Sequence, residues 1–192
     1  MKKYYHNSLM VKSIFLLIFI LPHYAFAQLK LHKISNEVYA IVGPLDQRSA
    51  KNLGNNATFG FVVTKKGVVL MDSGGSYKGA KAIHDLIKTI TKLPIKYVIN
   101  LGGQDHRWFG NDYFKKQGAT IVASKAAVED QKSRKVSQFN MMSRLIGDKT
   151  MKGTHTVYAD KVFDKKMDLE FGGISFKIQN SAHAHTPGDS YV

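Results

Sequence analysis

The segment from residue 59 to residue 101 constrains the fold of this chain more than any other. Residues 59–64 and 68–71 are rich in β-branched residues and are joined by Lys-Lys-Gly, which predicts a hairpin. Residues 79–93 then carry apolar side chains at helical spacing, and residues 95–101 read as a buried strand. Two strands joined by an amphipathic helix are typical of a parallel pair. The segment therefore predicts an α/β protein with a mixed sheet.

The flanking sequence extends this pattern of strands and helices. Two antiparallel strands are predicted before the hairpin, and a loop at 47–57 separates them from it. Beyond it, two more helices and four more strands are expected. The predicted elements are strands 29–34 and 38–42, helix 111–117, strand 120–123, helix 126–146, and strands 156–163, 167–171 and 174–179.

The first residues have the pattern of a secretory signal peptide. A lysine-containing start precedes eight apolar residues at 14–21, and Ala-Phe-Ala at 25–27 provides a cleavage site before Gln28. Eight helical residues span about 12 Å, whereas a membrane core is about 30 Å thick. We expect 1–27 to be removed, leaving 28–192 as one domain in the periplasm or outside the cell, with no stable membrane anchor.

Composition excludes several classes of function. The chain has 192 residues, a net charge of +14 and no cysteine, so disulfide scaffolds, Cys-ligated zinc and thiol nucleophiles are excluded. Its basic residues are scattered, mostly as lysine pairs, and no basic helix or aromatic-interleaved strip suggests a nucleic-acid partner. We therefore expect no nucleic-acid partner.

Two loops that follow strands carry side chains suited to chemistry. Asp72 is followed by Ser-Gly-Gly at the carboxyl end of a strand, where open α/β sheets place their sites, although taken alone this segment fits a simple turn better. The second loop contains two glycines and then Gln104, Asp105, His106 and Arg107. Imidazole and carboxylate are zinc ligands, but a loop histidine held by hydrogen bonds fits this segment too.

A third segment near the end of the chain contains two histidines. His183 and His185 alternate with alanines, and Thr-Pro-Gly-Asp follows directly. In a strictly extended strand, positions two apart share a face, so both imidazoles could reach one pocket. The turn at Pro187 is expected to bend His185 away from that register. Packing explains such a pair poorly, and a site role for at least one histidine is predicted.

The order of these motifs resembles the metallo-β-lactamase superfamily of hydrolases, over nearly the whole chain after the leader. The motifs follow the order found in the family: Asp-Ser-Gly-Gly, an amphipathic helix, the Asp-His loop and then His-Thr-Pro-Gly-Asp. An exported subgroup, related to the sulfur-oxidation and quinoprotein-associated zinc hydrolases, is most similar. The resemblance implies an αββα sandwich with metal bound at one edge, between two sheets.

The Asp-His loop departs from the family motif Asn-Thr-His-x-His-x-Asp-His-x-x-Gly-Asn. A gapless register from Asn100 to Asn111 replaces the motif's first two histidines by Gly102 and Gln104, its Asp by His106 and its last His by Arg107. A register shifted by one residue keeps Asp105-His106 as the family's Asp-His, but it loses both earlier histidines and needs an indel on each side. In both registers the usual dinuclear site is not intact.

The resemblance implies that the chain is an exported hydrolase that uses metal-activated water on an unidentified small molecule. Gln104, His106 and His185 are the expected ligands of one weakly held zinc ion, if any metal is bound. Asp105 is the expected base. Asp72, Arg107 and His183 are expected to contact substrate or to orient ligands, and Arg107 would bring a permanent charge to the second metal position. The alternatives are a non-catalytic small-molecule or anion-binding module and an inactive truncated product.

The family places another strand pair and further helices after His-Thr-Pro-Gly-Asp. This sequence stops at Val192, within the next expected strand. We therefore expect the C-terminal half of the sandwich to be incomplete.

Overall fold

The computed structural model describes residues 28–182 and 184–192. The predicted leader, 1–27, and His183 lie outside the described residues. The described chain has four strands at each end, and strands and helices are interspersed between them. The strands are β1 Lys30–Lys33, β2 Val38–Val42, β3 Thr58–Thr64, β4 Gly67–Met71, β5 Ile95–Asn100, β6 Thr120–Ser124, β7 Lys161–Phe163, β8 Lys166–Phe171, β9 Ile174–Asn180 and β10 Ser190–Tyr191. The helices are α1 Tyr77–Ile90, α2 Asp105–Trp108, α3 Asn111–Lys116, α4 Lys125–Ile146 and α5 Asp148–Met151.

A seven-stranded sheet forms the centre of the molecule, with its strands in chain order from β1 to β7. Strands β1 to β4 pair antiparallel, whereas β4 to β7 pair parallel, so the predicted mixed sheet is confirmed. A second, antiparallel sheet has the order β10-β9-β8. The parallel strands all end at one edge of the larger sheet, which is where Asp72 and the Asp-His loop follow.

The two faces of the larger sheet pack against different partners. Alternation along each strand turns Leu70 toward helix α1, where it meets Ile83, and turns Val69 toward the second sheet, where Phe176 is buried. On the other side of the second sheet lie polar side chains such as Lys177. Within the described ranges no helix covers that face, so the layers are helix, sheet and sheet.

Several element boundaries differ from the sequence-based expectation, and two short helices, α2 and α5, were not predicted. Helix α1 begins at Tyr77 because Ser76 caps it, with its Oγ accepting a hydrogen bond from the Gly79 N–H at 3.0 Å. The four-residue helix α2 lies inside the Asp-His loop, where no helix was predicted. The predicted strand 156–163 is wrong in its first half, because the side chain of Thr154 and the backbone of Val157 bind the helical layer instead.

In the part of the chain that the structure describes, no helix has the length and apolar character needed to cross a membrane.

Candidate functional site at the edge between the two sheets

Asp72 joins the ends of strands β4 and β5. Its backbone is left-handed, with φ of 63°, and its Oδ1 accepts a hydrogen bond from the Leu101 N–H at 2.7 Å. Burial raises the pKa of Asp72 to about 7, although the nearby Arg107 guanidinium acts in the opposite direction. Asp72 is thus a buried carboxyl group that is able to hold a proton near neutral pH.

The two glycines of the Asp-His loop are needed for close packing at the edge. A Cβ atom on Gly102 would overlap with Oδ1 of Asp189, from the turn before β10. Helix α4 holds the loop from the other side, since Nε2 of Gln131 donates to the Gly102 carbonyl at 3.1 Å and Nε2 of Gln138 donates to the Gly103 carbonyl at 2.9 Å. The loop backbone therefore has no room for a side chain at 102.

Asp189 closes the turn that carries His185. Its Oδ2 accepts hydrogen bonds from the backbone N–H groups of His185, at 2.7 Å, and Thr186, at 2.9 Å, and its Oδ1 accepts one from the Thr186 hydroxyl. Burial alone would raise the pKa of Asp189, but these hydrogen bonds outweigh burial and lower it. Asp189 is therefore an ionised structural carboxylate. The side chain of His185 is exposed beside it.

Asp105 is bound by an arginine that the sequence analysis did not identify. Arg48, in the loop between β2 and β3, donates from Nε to Oδ2 at 2.5 Å and from Nη2 to Oδ1 at 2.8 Å. The Asp105 side chain is only 4% exposed and that of Arg48 is 16% exposed, so this is a buried, bidentate ion pair. Asp105, the expected base, is thereby held as the partner of a cation.

His106 lies next to this ion pair. Nη2 of Arg48 is 3.0 Å from Nδ1 of His106, and Oδ1 of Asp105 is 3.7 Å from the same nitrogen. Burial lowers the pKa of His106 to about 4; Asp105 opposes this, and the charges of Arg48, Arg107 and His185 add to it. The imidazole is therefore neutral at pH 7.

Arg107 supplies a second guanidinium group to the same edge. Its backbone carbonyl accepts hydrogen bonds from Nδ2 of Asn100 at 2.6 Å and from the Ser73 N–H at 3.1 Å, which fix its position. Its Nε atom is buried and has no hydrogen-bond partner among residues 28–182 and 184–192. The charge of Arg107 lowers the pKa of both Asp72 and Asp189. It therefore balances carboxylates at this edge.

Gln104 faces a cleft beside this edge. The cleft has a volume of about 360 Å³, and Arg48, Asp105, Arg134, Ser137 and Gln138 line it together with Gln104. Asp72, His106, Arg107, His185 and Asp189 are close enough to affect one another's charge states. The structure thus gathers six of the seven predicted site residues around one edge, and the seventh, His183, lies outside the described residues.

Comparison with known proteins identifies the fold. No family model matches the chain, and no curated protein matches its sequence. Among solved structures, a metallo-β-lactamase from Pontibacter korlensis is 20% identical, with a TM-score of 0.60 over 85% of this chain and 65% of that one. A motif mutant of a metallo-β-lactamase from Cronobacter sakazakii is 19% identical, with a TM-score of 0.59 over 84% and 57%.

The chain has the metallo-β-lactamase fold. A double mutant of the sec-alkyl sulfatase PisA1 is also similar, with 17% identity and a TM-score of 0.65 over 86% of this chain and 30% of the sulfatase. The chain spans less than two thirds of the length of each of these proteins. The predicted fold class is therefore confirmed, for the part of the fold that the chain covers.

The residues at this edge do not fit the pair of metal ions that the resemblance implies. Within the described ranges, no three His, Asp or Glu side chains converge in a way that could hold a metal ion. Asp105 is neutralised by Arg48, and Asp189 is occupied by its own turn. Arg48 and Arg107 would compete with two dications for the carboxylates at this edge.

Proposed function

We propose that this chain uses the metallo-β-lactamase fold to bind a small anionic molecule in the cleft lined by Gln104, without a paired metal centre. One observation carries the proposal: two guanidinium groups, from Arg48 and Arg134, line the same cleft. Its volume of about 360 Å³ lies within the range of small-molecule sites. The excess of basic over acidic residues also favours an anionic partner.

Each of the two guanidinium groups is oriented before a ligand arrives. Asp105 binds Nε and Nη2 of Arg48, and Asp130 binds the same two atoms of Arg134. Nη1 of each arginine makes no hydrogen bond to any residue that the structure describes. Two positioned donors of this kind suit a carboxylate or phosphate oxygen, because less side-chain entropy is lost on binding.

A titration with succinate and with inorganic phosphate, in buffer containing EDTA, tests this proposal by calorimetry. We expect saturable binding of at least one of the two anions, and we expect Arg134→Met to weaken it about tenfold. Arg144→Met, on the same helix but outside the lining of this cleft, is the matched control and should bind like the wild type. Absence of binding by the wild type, or equal loss in both variants, would refute the proposal.

A second candidate is a metal-dependent hydrolase, which the fold shared with two metallo-β-lactamases and a sulfatase favours. In this candidate Gln104, His106 and His185 would hold one zinc ion, which supplies activated water when bound. The Cronobacter protein is a HARLDQ-motif mutant in which an arginine, a glutamine and a lysine are replaced by histidine. Elemental analysis separates the candidates: stoichiometric zinc, with anion binding lost in EDTA, would favour the hydrolase.

We also propose that the protein is exported. The basic start, the eight apolar residues at 14–21 and the Ala-Phe-Ala sequence support cleavage before Gln28. Intact-mass measurement of material from the periplasm or the medium is expected to show a chain that begins at Gln28. A species that retains Met1 in the cytoplasm would contradict this expectation.

A further inference from the structure

We infer that Arg48 is a positioning residue that fixes the His106 imidazole with its proton on Nε2. The edge then presents an N–H donor at His106, where a metal site would need a nitrogen lone pair. This inference goes beyond the proposed function, since it holds whether or not the cleft binds an anion.

The hydrogen-bond geometry determines the tautomer. Nη2 of Arg48 lies 3.0 Å from Nδ1 of His106. A guanidinium group has only donors and does not lose its proton in proteins. Nδ1 must therefore accept the hydrogen bond, and a neutral imidazole whose Nδ1 accepts carries its proton on Nε2. The opposite tautomer would direct an N–H of the ring at an N–H of the guanidinium.

The ion pair with Asp105 keeps Arg48 in this position. Two further hydrogen bonds, at 2.5 and 2.8 Å, bind the guanidinium to a carboxylate that is only 4% exposed. The same guanidinium thus satisfies the carboxylate and the imidazole together. Nε2 of His106 makes no hydrogen bond to the residues described, and the ring is 13% exposed, so Nε2–H is the atom available to a ligand.

Arg48 also competes with the Asp105 carboxylate for Nδ1 of His106. Oδ1 of Asp105 is 3.7 Å from Nδ1 of His106. Without Arg48, this carboxylate is close enough to favour a proton on Nδ1. A histidine that donates Nδ1–H to a carboxylate has its Nε2 lone pair free, which is how metal-ligating histidines are usually oriented. The choice between hydrogen-bond donor and metal ligand therefore depends on one arginine.

The inference is tested by long-range ¹H–¹⁵N correlation spectra of the full chain with ¹⁵N-labelled histidine. They are recorded at about pH 8, where a neutral imidazole ring is expected. His106→Gln assigns the signals. We expect the wild type to carry its proton on Nε2 and Arg48→Met to carry it on Nδ1. Competition with a zinc chelator should show that Arg48→Met binds zinc about tenfold more tightly than the wild type.

Arg134→Met is the matched control, because it removes a guanidinium from the same cleft and from a bidentate pair, but one that does not contact His106. It should change neither the tautomer nor the zinc affinity, even though it should weaken anion binding. A wild-type proton on Nδ1 would overturn the inference, and the wild-type spectrum decides this if Arg48→Met does not fold. An unchanged tautomer in Arg48→Met, or equal zinc gain in Arg134→Met, would also overturn it.

Discussion

Replacing Asp105 by alanine is expected to lower the free energy of unfolding by about 3 kcal/mol. The substitution leaves Arg48, whose side chain is 16% exposed, without the carboxylate that binds two of its nitrogens. A largely buried cation without a partner is costly, because its lost hydration is not replaced. Urea denaturation followed by circular dichroism measures the change.

Asp85→Ala is the control for that measurement. Asp85 pairs with Lys81 on the surface of α1, where the lysine side chain is 58% exposed. Exposed pairs of this kind contribute between 0 and about 1 kcal/mol. If Asp105→Ala costs no more than Asp85→Ala, the ion pair between Arg48 and Asp105 is not a structural element of the site.

Gly110→Ala is expected to destabilise the protein by about 3 kcal/mol, at the upper end of overpacking substitutions. A Cβ atom at 110 would overlap with the backbone carbonyl oxygen of Ser73 and would lie 2.8 Å from Cβ of Ala80. Neither neighbour is the end of a flexible side chain, so the segment after β4 would have to move. That movement would also displace Asp72, and thermal unfolding measures the loss.

Gly118→Ala controls for the loss of glycine itself. Nothing lies within 4 Å of a Cβ at 118, but φ is +84°, so alanine there carries only the cost of a left-handed backbone, about 1 kcal/mol. Similar unfolding temperatures for the two variants would show that β4 and the Asp-His loop are not packed as tightly as the structure indicates.

Local patterns were sufficient for most of the fold. Strands β3 and β4 and helix α1 are recognisable from residues close in sequence. The spacing of their apolar residues and the turn residues between them were therefore enough to predict them. Helix α2 was missed because its four residues are too few for a period, and no side chain caps it. The half-strand before β7 was wrong because contacts with the helical layer, rather than alternation, fix that stretch.

The sequence predicted which residues lie near one another at this edge, but not which side chains they contact. The motifs indicated Asp72, His106 and His185, because motif order is visible in the sequence. Arg48 was not predicted, since it lies in a loop 57 residues before Asp105 and no local pattern connects the two. This one unpredicted cation binds the carboxylate of Asp105 and lies within hydrogen-bond distance of His106.

The sequence separation of the contacts at this site bears on the order in which they form during folding. The Arg48–Asp105 pair closes a separation of 57 residues, and the contact between the Gly103 N–H and the Thr186 hydroxyl closes one of 83. The longer loop costs more conformational entropy to close, so the contact with Thr186 is expected to form after the arginine pair. During synthesis, Arg48 and Asp105 are able to meet well before Thr186 is made. The arginine pair is thus expected to form before the turn that carries Thr186 packs against the Asp-His loop.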